Sequence, residues 1–263
     1  MKERFNLLVL DTECHFMSLH NKMVYDIGWV FGDVRNMTSK PTERRFIIKD
    51  FLSPKHWRHT YLDKKTGMRK DWKWDLRGDD LVDLSHNLPE DESIKAVFWN
   101  EMLEQLEKDI AMVEGVGSYN WAFDRGAIES TSIKLNHQPF LQNVDFKPFC
   151  IQDMYVSKII NKDYFTYIDS LDEWERENFK SKSGKNLGYS AEIMARYVSR
   201  FTEYLEEHSS LMDSRIEFNL VRLFCDKHFT DFQNEFLNKP KAVSWIKVRD
   251  RLSSVKKMKA RKG

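Results

Sequence analysis

The chain has 263 residues, 41% hydrophobic and 32% charged, with a formal net charge of +1. That balance excludes a disordered tail, and no apolar run approaches the ~20 residues that span a bilayer, so no membrane contact is expected. The near-neutral total hides a division: residues 239–263 hold ten Lys/Arg against one acid, so that segment carries +9 and the rest of the chain −8.

In chain order, Phe5 to Leu10 reads as a buried strand running into Asp11, Thr12 and Glu13. Val24 to Phe31 reads as its neighbour and Arg45 to Phe51 as a third strand. The short polar links predict an antiparallel meander. Residues 53–92 have no clean period and read as an insertion. Ile94, Val97, Phe98, Leu103, Leu106, Ile110 and Val113 then recur at helical steps, with Ser93 placed to cap. Gly115 to Tyr119 breaks that helix and allows a short strand, and Phe123 to Ile133 predicts another helix. Phe149 to Ile151 fits a last strand, followed by a helix through Ile160. Ile193, Tyr197, Phe201 and Leu205 mark a helix behind Ser190, and Ile216, Leu220, Leu223 and Phe224 mark one more. Strands followed by helices alternating with short strands predict one mixed α/β domain over residues 1–238. A boundary near Asn238, Lys239 and Pro240 sets the basic tail apart. Met1 to Phe5 carry no apolar signal core, and Cys14, Cys150 and Cys225 form no CxxC pair. Both features point to a reducing, cytoplasmic setting without disulfides.

Three short motifs carry the chemistry. Asp11 and Glu13 lie two apart on a predicted strand, and period two puts both side chains on one face. Carboxylates held together repel unless a cation sits between them, and all-oxygen ligands suit Mg²⁺ or Mn²⁺. Asp124, in Tyr119-Asn120-Trp121-Ala122-Phe123-Asp124, opens a predicted helix just after a strand edge. Taken alone it reads as a helix cap. His208 precedes Asp213 by five residues at the start of a late helix, and taken alone reads as a solvated or capping histidine.

In this order, D-x-E, N-x-x-F-D and H-x-x-x-x-D, the motifs resemble those of the DEDDh 3′–5′ exonucleases. This DnaQ-like family includes polymerase proofreading subunits, ribonuclease T and oligoribonuclease. The resemblance runs from about Phe5 to His228. The tyrosine-bearing sister pattern would need Tyr at position 209, where this chain has Ser209. The resemblance implies an α/β, ribonuclease H-like fold: a mixed sheet of antiparallel meander plus parallel strands, flanked by helices. It also implies two divalent ions, Mg²⁺ or Mn²⁺. Asp11, Glu13 and Asp213 would hold the first, with Asp11 bridging to the second, and Asp124 would hold the second, often through water. His208 matches the general base. Asn120 matches the asparagine of N-x-x-F-D. Cys14 to Met17 occupy the stretch where the family holds the terminal nucleotide, so Phe16 and Met17 are assigned to substrate binding. Two ions about 4 Å apart would neutralise the phosphate, activate a water and stabilise the leaving 3′-oxygen. A histidine can accept the water's proton at neutral pH. On a continuous helix His208 would point about 140° away from Asp213, so it is expected on a loop.

Two segments exceed what the family core needs. From Lys55 to Arg77 the insertion carries eight basic residues against Asp63, Asp71 and Asp75, interleaved with Trp57, Tyr61, Trp72 and Trp74. Cations follow a phosphate backbone and aromatics stack bases, which assigns Trp72 and Trp74 to single-strand binding. The other reading is an exposed loop whose aromatics pack on the body. His56 and His59 have no accompanying ligand pattern for a metal. Residues 163–185 are charged and read as a solvated helical face. The basic tail is expected to add salt-dependent affinity for nucleic acid, to meet a replication or repair partner, or to be a disordered, solvated segment that aids solubility. The expected activity is 3′–5′ hydrolysis of single-stranded nucleic acid to 5′-mononucleotides, with DNA placed ahead of RNA. The alternatives are an exoribonuclease of the same family, a non-catalytic nucleic-acid-binding module on this fold, and an unrelated α/β protein. A homodimer is left open.

Overall fold

Two long strands, β1 (Asn6–Ser18) and β2 (Asn21–Asp33), pair as an antiparallel hairpin at the centre of a six-stranded sheet. The computed structural model describes residues 3–18, 21–51, 60–62, 69–71, 94–180, 187–201 and 209–240. β3 (Thr42–Ile48) continues the meander against β2. Within the insertion, β4 (Thr60–Leu62) and β5 (Arg69–Asp71) pair as a separate antiparallel hairpin. β6 (Ile94–Val97) lies parallel to β3 at one edge. β7 (Gly115–Ser118) lies parallel to β1, and β8 (Pro148–Cys150) closes the other edge. The spatial order is β6-β3-β2-β1-β7-β8.

Eight α-helices flank the sheet among the described residues: α1 (Trp99–Ile110), α2 (Trp121–Lys134), α3 (Phe140–Asn143), α4 (Ile151–Lys158), α5 (Lys162–Ser170), α6 (Glu173–Glu177), α7 (Ala191–Ser199) and α8 (Ser210–Asp231). Alternation along β1 divides the core. Leu7 and Val9 pack with residues of α4, α5, α7 and α8, while Leu8 and Leu10 pack with α1 and α2. Because both faces are covered, β1 begins as an unbroken apolar run. A buried carboxylate ties the second layer to the sheet: Asp109 of α1 accepts from Trp29 Nε1 at 2.8 Å and from Arg44 Nε at 2.5 Å.

Several expected boundaries move. The first strand does not end at the D-x-E motif but continues through Ser18, with a register shift after Glu13. Ile94 to Val97 form a strand and the helix begins only at Trp99. Their spacing also fits a helix, but pairing with β3 supplies hydrogen bonds that a first helical turn would lack. Ser93 lies outside the described residues, and the first turn of α1 is capped instead by Asp50, which accepts from Trp99 N at 2.8 Å. The third strand stops at Ile48 and gives way to a 3₁₀ turn at Lys49–Phe51. α7 ends at Ser199 because Arg200 adopts a left-handed conformation, which leaves Phe201 exposed beyond it. The described part of the charged segment, residues 163–180, does present a solvated face: Asp169, Asp172, Glu173 and Glu177 are exposed while Tyr164, Phe165 and Ile168 are buried; 181–185 lie outside the described residues. Among the described residues no helix is long and apolar enough to cross a membrane.

The sheet and α8 approach each other closely at Gly28 of β2. A Cβ there would stand 2.5 Å from Leu211 N, 2.6 Å from Ser210 C and 2.7 Å from Leu211 Cα, all backbone atoms of α8. Neither partner can yield by turning a side chain. Two serines one turn apart fasten the same contact: Ser210 donates to Asp26 Oδ1 at 2.5 Å, and Ser214 donates to the Gly28 carbonyl at 2.9 Å. Gly28→Ala is therefore expected to destabilise the fold by about 1–3 kcal/mol or more, as overpacking does. Urea denaturation would measure it, and an unchanged midpoint would mean that α8 does not sit on this strand.

Candidate active site

The Gly28 contact decides where Asp213 lies. Gly28 is the cross-strand partner of Asp11, and Glu13 pairs with Asp26. Asp11 and Glu13 share the face of β1 that also carries Leu7 and Val9, the face packed by α8. Asp213, one turn inside α8, is delivered to that face. Ser209 caps the helix, accepting from Met212 N at 3.4 Å. As a result, ligand oxygens of Asp11, Glu13 and Asp213 all lie within 4.8 Å of one another, each residue half-buried. Asp26, also on this face, is buried but already neutralised by Arg45, whose Nη2 lies 2.8 Å from Oδ2.

Asp124 arrives from the opposite layer. It lies in the first turn of α2 and is buried. Thr12, between the two acids of D-x-E, points to that side and donates its hydroxyl to Asp124 Oδ1 at 2.7 Å. Lys22 of β2 donates to the Phe123 carbonyl at 3.2 Å and lies over the Phe123 ring, 3.5 Å from its centre. The four acids thus surround the middle of β1 from both layers, three in one group and the fourth held by Thr12.

The electrostatics follow from this crowding. Loss of solvation, then Asp124, Glu217, Asp213 and Glu13, push the Asp11 carboxyl well above the usual carboxylate range. Burial pushes Asp124 up to about 6, against the opposing influence of Thr12, Ser118 and Lys22. The Cys14 thiol, beside the site, is pushed up by burial and stays protonated at neutral pH. Carboxylates held together against their own repulsion are a site for a hard cation: oxygen donors only, close enough to share one ion. The donor set fits Mg²⁺ or Mn²⁺.

The remaining expected site residues distribute unevenly. Asn120 is exposed just before α2, and its carbonyl accepts from Asp124 N at 3.2 Å. Phe16 lies opposite Lys22 in the far half of the hairpin, with Met17 beside it in β1. His208, Trp72 and Trp74 fall outside the described residues, as does the tail from 241 onward. Four participants had no motif to announce them: Thr12, Lys22, Gly28 and Glu217. A lone glycine inside an apolar strand is a signal of close backbone approach. Glu217 is an acid beside the apolar Ile216, Leu220 and Phe224 of α8, an anomaly visible in the sequence.

A mixed sheet in this strand order, with helices on both faces, is a ribonuclease H-like fold, the class expected from the sequence. No known family profile matches the chain, and no curated protein matches it in sequence. Solved structures do match. A moderately thermophilic exonuclease I from Methylocaldum szegediense aligns at 12% identity and a TM-score of 0.50 over 87% of this chain and 42% of that one. The zinc-bound E. coli ExoI–ssDNA complex aligns at 12% identity and a TM-score of 0.49, covering 88% of this chain and 42% of its own. An ExoI/SSB-Ct complex aligns at 11% identity and a TM-score of 0.49, covering 88% and 43%. The chain spans about two fifths of the length of these structures.

The raised Asp124 has a thermodynamic signature. In the metal-free protein it holds its proton to about pH 6, whereas the unfolded chain releases it near 3.8. The folded state binds more protons in that window, so stability falls as pH rises through it. Asp124→Asn keeps the acceptor for Thr12 and removes the charge. In EDTA the variant is expected to match the parent near pH 4 and exceed it above pH 6 by up to about 3 kcal/mol, read by urea denaturation. A variant less stable than the parent at pH 8 would contradict this.

Proposed function

We propose that this protein is a metal-dependent 3′–5′ exonuclease that hydrolyses single-stranded nucleic acid, DNA ahead of RNA, to 5′-mononucleotides. The observation that carries this reading is the convergence of Asp11, Glu13 and Asp213 within 4.8 Å of one another. Asp124, held beside them by Thr12, supports it. The order of the motifs along the chain agrees with it, and so does the ribonuclease H-like fold.

In this reading Asp11, Glu13 and Asp213 would hold the first ion, and Asp11 together with Asp124 would hold the second. Bound divalent ions supply neutralisation of the phosphate, acidification of the attacking water and stabilisation of the leaving 3′-oxygen. Thr12 orients Asp124 by donating its hydroxyl to Oδ1. Lys22 steadies the first turn of α2 through the Phe123 carbonyl. His208, five residues before Asp213, takes the proton of the attacking water. Asn120, exposed next to the acids, meets the terminal nucleotide, with Phe16 and Met17 supplying apolar contact. Trp72 and Trp74 stack bases further along the strand, and the basic tail adds affinity that weakens with salt.

The test is digestion of matched 5′-labelled DNA and RNA oligonucleotides in Mg²⁺. The expected result is a ladder shortening from the 3′ end, faster for DNA. Asp213→Asn is expected to slow it by at least about 100-fold, the upper range for losses even behind metal ligands. Strand binding that persists in EDTA, without cleavage in any divalent metal, would instead establish a non-catalytic binding module.

A further inference from the structure

Glu217 is a fifth carboxylate beside the site, and neither the motifs nor the two-ion reading uses it. It lies one helical turn after Asp213 on the same face of α8 and is 3% exposed. Its Oε2 accepts from Tyr119 N at 3.0 Å. Tyr119 is itself fixed at both ends. Its carbonyl accepts from Gln152 N at 3.0 Å, and its hydroxyl donates to the Tyr189 carbonyl. The next residue, Asn120, offers the carbonyl on which the Asp124 amide rests. Glu217 therefore joins the helix that carries Asp213 to the turn that carries Asp124, through two consecutive residues.

We propose that Glu217 acts on the metal centre from behind the ligands, as a positioning residue: its carboxylate, fixed by Tyr119 N, places a negative charge one turn from Asp213 and would raise divalent-cation affinity without ligating. This rests on the metal-dependent reading above. A buried carboxylate costs free energy unless it is hydrogen-bonded or paired, and Glu217 meets that need in part through Tyr119 N.

Two variants separate the charge from the contact. Glu217→Gln keeps an acceptor for Tyr119 N and removes the charge; Glu217→Asp keeps the charge on a shorter stem. Isothermal titration of each full-length protein with MnCl₂ reads affinity directly, without turnover. Glu217→Gln is expected to weaken Mn²⁺ binding about 10-fold, the scale seen for groups that act behind ligands, while Glu217→Asp stays within about 3-fold of the parent. In oligonucleotide digestion, the Mn²⁺ concentration for half-maximal rate should rise with Glu217→Gln while the rate at saturating Mn²⁺ is largely kept. Parent-like affinity in Glu217→Gln, or equal weakening in both variants, would overturn the assignment in favour of packing. A parent that binds no Mn²⁺ would defeat the nuclease reading along with it, and that outcome is told apart by the parent titration alone.

Discussion

The backbone of α8 rests on the backbone of β2 at Gly28, with no side chain between them. From that contact the rest of the site follows. Gly28 stands across from Asp11 in the hairpin, so a helix seated there carries its next outward acid to Asp11 and Glu13. Ser210 and Ser214 hold the seat with hydrogen bonds that need small side chains at a one-turn spacing. Any larger residue at position 28 would move the helix bodily, since the atoms it meets are main chain.

Bringing acids together is electrostatically uphill, and the surroundings divide the problem. Asp26 would add to the repulsion but is matched by Arg45. Asp124 comes from the other layer and is held by Thr12, with Lys22 nearby. Asp11, between both sets, has no such relief from its carboxylate neighbours, and its carboxyl is the one pushed up by all of them. The protein therefore folds with a concentration of negative charge that a divalent cation would discharge, and the rigid layers on either side supply the work. Pre-organisation of this kind is what a phosphodiesterase needs, because its substrate repels an anionic nucleophile.

Much of this was legible before the structure. The meander of β1, β2 and β3, the placement of Asp11 and Glu13 on one face, and helices opening at Asp124 and Asp213 all follow from period and punctuation. The missed features share a cause: each depends on contacts distant in sequence. Ile94 to Val97 read as helix because local spacing cannot report pairing with β3. β1 runs past its motif because Phe16 and its neighbours are supported by β2 rather than by their own pattern. Thr12 and Glu217 carry no motif, and their roles appear only when α2 and α8 close on the strand from opposite sides. Gly28 was visible as an interruption in an apolar run, but what approaches it was not.

The most direct measurement is a crystal structure of the protein grown with MnCl₂, with anomalous scattering recorded for manganese. The account predicts a peak bounded by carboxylate oxygens of Asp11, Glu13 and Asp213, at the roughly 2.0–2.2 Å spacing of oxygen ligands to small divalent ions. An empty cleft at millimolar manganese, or those three side chains found on separate surfaces, would contradict it.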